Sequence, residues 1–209
     1  MGNINNIKSI QHPLHSADFA EFAGILLGDG GLTKYQLTIT LNHIEEREYM
    51  EFVIELIEKL FGVEAAIYHR PDFSVFNIVI SRRELIIFCT ENLGINVGDK
   101  IKQQIDIPSW IENNETFSIA CMRGLFDTDG SVVLHRYSVG GKQYCYKKLE
   151  FCSMSPPLRK SVYDILYKLD MHPRIAREKS VWLDSQKDVK RYFEAIGSHN
   201  PKHLKRYLK

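Results

Sequence analysis

Two aspartates, Asp29 and Asp129, stand 100 positions apart, and each is followed by glycine. Each closes a run of small and apolar residues, FAGILLGDGG at 22–31 and MRGLFDTDGS at 122–131. Read as helices, the two runs stack Ala20, Gly24 and Gly28 on one face, and Ala120, Gly124 and Thr128 on the matching face of the second copy. Small residues at this spacing let helices pack backbone against backbone. Glycine inside a helix costs about 1 kcal/mol against alanine, so two such costs at equivalent positions imply that close approach is required. Two parallel helices packed this way bring their C-termini together, each with partial negative charge and unsatisfied carbonyls. Adding Asp29 and Asp129 makes the junction a site for a cation, and hard oxygen ligands with room for water suit Mg²⁺. Gly28 and Thr128, one position earlier, are further candidates for the metal site. A single Asp-Gly after a helix is usually a plain cap and turn; the matched pair is what argues for chemistry. A calcium loop is excluded, because it would put Leu125 and Arg136 where its first and last acids belong.

The elements that must position these acids also occur twice. After each motif comes strand-like sequence. Leu37, Ile39 and Leu41 alternate with Gln36, Thr38, Thr40 and Asn42, and Leu149 and Phe151 alternate with Lys148, Glu150 and Cys152. Gly140-Gly141 supply the turn of a longer hairpin. Tyr49, Phe52, Val53, Leu56 and Leu60 make one helical stripe ending at Gly62, and Leu158, Val162, Ile165, Leu166 and Leu169 make another beginning at Ser155-Pro156. Further strands are predicted at about 63–70, 75–80 and 173–184. Ser81–Glu84 and Ser185–Asp188 then give the same capping signature 104 positions apart, on helices running to about Gly94 and Gly197. Each half reads helix, strands, helix, strands, helix. The expected fold is α+β, with two αββαββα halves (1–110 and 111–209) related by a pseudo-twofold axis and the motif helices at the centre.

Composition bounds the function. The 209 residues suffice for one core or two halves of about 100 residues each. The longest apolar stretches, GILLG and LIIFC, cannot span a bilayer. The N-terminus lacks a signal-peptide layout, and Asn6 breaks the myristoylation pattern, so an intracellular protein is expected. The four cysteines include no CxxC pair, which argues against structural zinc. Net charge is only +1, yet residues 1–100 carry 8 Lys/Arg against 14 Asp/Glu and residues 101–209 carry 19 against 12. Glu45, Glu46, Glu48, Glu51, Glu55 and Glu58 account for much of the acidity, and a solvated helix face explains them. The remainder of the chain is distinctly basic.

The two motif copies, their spacing and the strands after them resemble the LAGLIDADG homing endonucleases over nearly the whole chain. The resemblance implies antiparallel sheets forming a saddle in the DNA major groove. It also implies that Asp29 and Asp129 bind Mg²⁺ and direct cleavage of the two strands, leaving short 3′ overhangs. Mn²⁺ is expected to substitute, and Ca²⁺ to support binding with little cleavage. Lys100 and Asn42 match the family's residues near one scissile phosphate, and Lys202 and Ser153 those near the other. Leu27 replaces an acid that Asp127 retains, at a position the family does not use for metal. Arg123 replaces a small residue and is expected at the outer rim of the helix pair. For base readout the candidates are Lys34, Gln36, Thr38, Thr40, Tyr68, Arg70, Asn77, Lys148, Arg174 and Arg177, since Arg and Lys suit guanine and Gln and Asn suit adenine. Arg136, Lys142, Lys147 and Lys179 join Lys148, Arg174 and Arg177 in phosphate neutralisation.

A site-specific, metal-dependent DNA endonuclease is therefore expected. The alternatives are an intron RNA maturase and a non-cleaving DNA-binding protein on the same fold. Because two halves in one chain stand in for two subunits, the protein should act as a monomer on a long asymmetric site of roughly two duplex turns. Light scattering of the free and DNA-bound protein is expected to give one chain in each case; an obligate dimer would overturn that reading.

Overall fold

The computed structural model describes residues 9–209. The first eight, which begin the predicted 1–110 half and include the lipidation positions, lie outside the described residues. Helix α1 (Ala17–Gly28) starts at Ser16, whose hydroxyl accepts the Phe19 N–H, and leads into β1 (Gly30–Leu32) and β2 (Leu37–Asn42). Then come α2 (Arg47–Phe61), β3 (Ala66–Arg70), β4 (Val75–Ile80) and α3 (Arg83–Leu93). Two short helical turns, α4 (Lys100–Gln103) and α5 (Ser109–Glu112), lead to α6 (Glu115–Asp129). The order repeats as β5 (Gly130–Val139), β6 (Lys142–Cys152), α7 (Pro156–Lys168), β7 (Arg174–Ala176), β8 (Ser180–Leu183) and α8 (Gln186–Ala195), and α9 (Pro201–Leu208) follows.

The repeat is topological as well as sequential. The antiparallel sheets have strand orders β1-β2-β4-β3 and β5-β6-β8-β7, so each strand has its counterpart in the same place. Leu37, Ile39 and Leu41 are buried, as are Leu149 and Phe151, confirming the alternation on both central strands. The halves differ most in their first hairpins. The predicted continuous strand from residue 32 is broken, because the Thr33 hydroxyl accepts the N–H groups of Tyr35 and Gln36 and closes a tight turn. Its counterpart runs from Gly130 to Cys152, turning at Gly140 and Gly141 with φ of 57° and 80°, where side chains are disfavoured.

Three local expectations are corrected. Arg82, not Ser81, is the N-cap of α3, without a side-chain bond; Glu84 is drawn off to the Ile10 N–H and the His12 ring. Ser155 sits at the N-cap of α7, but its hydroxyl donates to the Ile105 carbonyl instead of accepting from the helix. The glutamate face of α2 is not wholly solvated. Helix α9 lies along its start and pairs Lys205 with Glu48, Arg206 with Glu45, and Lys202 with the buried Glu46.

At the centre α1 and α6 form the most extensive contact between helices. Added to Gly24, a Cβ would lie 2.1 Å from the Cys121 carbonyl oxygen; added to Gly124, it would lie 2.2 Å from the Glu21 carbonyl oxygen. The obstacles are helix backbones at pseudo-equivalent positions, and they cannot swing aside as a side chain could. Gly24→Ala or Gly124→Ala is expected to cost about 3 kcal/mol, the upper part of the usual range for overpacking. At roughly 2–4 °C per kcal/mol the loss is easily read in a thermal melt, and an unchanged midpoint would show that the helices do not touch here.

Candidate functional site

The close packing delivers the two acids to one place. Asp29 caps α1 and Asp129 ends α6. A Cβ at Gly28 would collide with the Thr128 side chain at 2.1 Å and lie 3.6 Å from the Asp129 carboxyl carbon, so Gly28 is what lets the acid of α6 settle against the end of α1. Burial, then the nearby Asp129 and Glu46, push the Asp29 carboxyl up to about 7, against the pull of Lys100 and Lys202. Burial pushes Asp129 up to about 6, and Lys100 opposes the rise. Lys100 itself is held below its ordinary range by burial. Its ammonium donates to the carbonyls of Leu26 (3.2 Å), Leu27 (2.9 Å) and Gly28, filling the orphan acceptors at the α1 terminus.

These groups fit a hydrated divalent cation. Among the described residues no three His, Cys, Asp or Glu side chains converge as a metal cage. Two carboxylates, backbone carbonyls and water are nonetheless the donor set of Mg²⁺ or Mn²⁺, which keep several waters. A cleft of about 290 Å³ opens beside Gly28, Lys100 and Asp129, against roughly 30 Å³ for a water molecule in the liquid. Of the predicted backbone candidates, Gly28 presents a carbonyl that is engaged by Lys100, while Thr128 turns its hydroxyl back to Gly124 and Leu125.

The two lysines are paired crosswise. The sequence reading put Lys100 with Asn42 and Lys202 with Ser153. In the structure Lys100 shares its cleft with Asp129, Ser153, Ser155 and Lys179 of the second half. Lys202 instead pairs with Glu46 at 2.5 Å and acts on Asp29, on the side of Asn42. Each half thus sends its lysine toward the other half's strand ends. The Asn42 side-chain oxygen accepts the N–H groups of Ile44 (2.9 Å) and Glu45 (3.0 Å), so it builds the turn into α2. Ser153 does the same for the Ser155 N–H.

Asp127 takes no part in the acid pair. It is fully buried, its oxygens accept from the Ser198 hydroxyl and the His199 N–H, and burial pushes it up to about 7. Arg123 is a further correction. It lies between the halves, not at an outer rim, and its guanidinium donates to Glu21 and to the Ile196 carbonyl. His199 reaches the other oxygen of Glu21 at 2.6 Å.

The outward sheet faces follow from register. On the first sheet Thr38 and Thr40 point away from the core, and Thr40, Asn77 and Tyr68 form one row, with Arg70 in the next. The Thr40 hydroxyl donates to Asn77. Lys34 and Gln36 sit in the β1–β2 turn, where the Gln36 amide donates to Ser81. On the second sheet Lys148 and Arg174 face outward and share Asp184. Lys142 flanks the hairpin tip, Arg177 lies in the β7–β8 turn and Lys179 lines the acidic cleft. Arg136 and Lys147 lie on the opposite face: Arg136 shares the parity of the core residue Val132 and Lys147 that of Leu149, and the Lys147 ammonium donates to the Tyr207 carbonyl of α9. In their place Tyr137, Tyr144 and Tyr146 stack with centroids 5.3 and 5.6 Å apart on the outward face. The signal for them is the alternation of tyrosines along two long strands.

Residues 116–197 match the family model described as a LAGLIDADG-like domain. A search of curated proteins by sequence found no match. Among solved structures, the chain is similar to mesophilic variants of the homing endonuclease I-DmoI, with 20% identity, a TM-score of 0.61, and 87% of this chain and 95% of that one covered. I-DmoI has also been solved with DNA and Mn and with DNA and Ca. The I-SmaMI LAGLIDADG homing endonuclease bound to cleaved DNA gives 11% identity, a TM-score of 0.61, and coverage of 94% and 88%. Full-length DUF199/WhiA from Thermatoga maritima gives 15% identity and a TM-score of 0.58, over 92% of this chain and 60% of that one. The chain carries a LAGLIDADG-like domain within a two-motif LAGLIDADG fold that spans both halves.

The raised carboxyls make a stability prediction. Asp29 and Asp129 release protons near pH 7 and 6 when folded but near 4 when unfolded. Between about pH 4 and 7 the folded chain therefore holds more protons, so the stability they confer is present at the acidic end and is lost as pH rises. Asp29→Asn, neutral at every pH, should raise the midpoint of the metal-free protein at pH 8 by roughly 2–4 °C and flatten its pH dependence. A lower midpoint at pH 8 would show that the acids are not held apart from their ordinary range.

Proposed function

We propose that this protein is a metal-dependent, site-specific DNA endonuclease. The observation that carries the proposal is the convergence of Asp29, Asp129, Lys100 and Lys202 at the end of one helix pair, between two outward-facing sheets. The reaction is in-line attack of water on a phosphodiester, forming one P–O bond and breaking another, and the departing sugar oxygen gains a proton. A divalent cation, when bound, supplies a lowered pKa for the attacking water and stabilises the leaving oxygen. Asp29 and Asp129 would hold it as hard carboxylate ligands. Lys100 and Lys202 place positive charge beside the phosphate, where it is most effective in the transition state. No side chain has to form a covalent intermediate.

The sheets divide the work of recognition. Thr38, Thr40, Asn77, Tyr68 and Arg70 give the first half a hydrogen-bonding face, and Lys34 and Gln36 extend it from the turn. The second half offers Lys142, Lys148 and Arg174 around the stacked tyrosines, which present apolar surface suited to thymine methyl groups. Two different faces read two different half-sites.

The test is strand-resolved digestion of a labelled duplex spanning the intron-less insertion site of the protein's own gene. Mg²⁺ should support cutting and EDTA abolish it, while Ca²⁺ should support binding with little cleavage. Asp29→Asn and Asp129→Asn should each leave affinity within a few-fold and slow at least one strand by roughly 100-fold, equivalent to about 2.7 kcal/mol at the chemical step. Variants that cut both strands at the normal rate would reduce the acids to helix caps. Tight binding by wild type without cutting would instead mark a DNA-binding protein that does not cleave.

A further inference from the structure

Glu46 is a buried acid for which neither the fold nor the acid pair supplies a reason. It stands at the N-cap of α2, yet its side chain makes no capping bond to that helix. It is 4% exposed and turns inward. One oxygen accepts the Asn42 N–H at 2.7 Å; the other accepts the Asn200 amide at 2.8 Å and the Lys202 ammonium at 2.5 Å. Asn200 and Lys202 come from the opposite half. Burying an ion pair is a poor route to stability, because desolvation offsets the attraction. A second carboxylate close to Asp29 is also repulsive. What the arrangement does achieve is to remove the freedom of a long, flexible lysine.

The Asp129 side is built differently. The N-cap of α7, equivalent to Glu46, is Ser155, a neutral residue that grips the backbone at Ile105 with a 2.6 Å bond. Lys100 is held by the carbonyls of α1 rather than by an acid. The two lysines are therefore fixed by unlike devices.

We propose that Glu46 is a positioning residue that holds Lys202 against the phosphate cut on the Asp29 side, with no counterpart on the other side. The proposal rests on the endonuclease reading above. It predicts that the two strands depend on different residues, although the acids are matched.

Single-turnover, strand-resolved cleavage tests it. Glu46→Gln should slow one strand roughly tenfold and leave the other within about twofold, a smaller effect than deleting a directly acting charge. Lys202→Met should slow the same strand, by more, and Lys100→Met the opposite one. In the Lys202→Met background, Glu46→Gln should add nothing, because its effect runs through Lys202. The double variant removes both members of the buried Glu46–Lys202 pair, so it keeps the strand preference measurable if Glu46→Gln alone fails to fold. Equal slowing of both strands would mark Glu46 as merely structural and overturn the proposal. So would an unaffected Glu46→Gln, or the same strand slowed by Lys100→Met. A wild type that cuts neither strand overturns the endonuclease reading itself, and the proposal with it.

Discussion

The contact between Gly24 and the Cys121 carbonyl, mirrored by Gly124 and the Glu21 carbonyl, is the constraint on which the rest of the molecule depends. Two helices of ordinary composition would pack 8–10 Å apart, held off by their side chains. Here the glycines remove those side chains where the helices touch. The helix ends then meet, and with them Asp29 and Asp129. A methyl group at either glycine would separate acids several residues away along the same helix.

Such a meeting is electrostatically unfavourable, and the neighbourhood shows how it is tolerated. Two negative helix termini and two carboxylates gather in a recess, with Glu46 beside them. Lys100 offsets part of the charge by bonding to the carbonyls of α1, and Lys202 offsets part through Glu46. Burial, joined at Asp29 by repulsion from Asp129 and Glu46, leaves carboxyls that retain protons well above their usual range. Asp127, also buried, has protein donors on both of its oxygens: the Ser198 hydroxyl and the His199 N–H.

The halves are also exchanged at their edges. Helix α9 belongs to the second half by sequence but docks on the start of α2 in the first. Ser155 of the second half grips Ile105, which follows α4 of the first. These contacts offset part of the opposed charges of the two halves: Glu45, Glu46 and Glu48, at the start of α2, pair with Arg206, Lys202 and Lys205 of α9. The exposed pairs contribute little to stability, whereas the buried one fixes a side chain at the site.

Periodicity and spacing were enough to establish the repeat, the order of its elements, the buried faces of the central strands and the convergence of the two acids. Those features are local or follow from a spacing of four, and a helix or strand imposes its period on the chain wherever it lies. The outward positions Thr38, Thr40, Tyr68, Asn77, Lys148 and Arg174 were legible for the same reason. Other features could not be read that way. Helix α9 carried its signals in Asn200-Pro201, but nothing local says that it crosses to the other half. The six glutamates between 45 and 58 look alike in sequence; only the docking of α9 makes Glu46 a buried partner of Lys202 while Glu51, with its side chain 62% exposed, stays in water. The family resemblance matches Lys100 with Asn42 and Lys202 with Ser153, each pair within its own half. Tertiary structure crossed them, since a pseudo-twofold axis brings the end of each half to the beginning of the other.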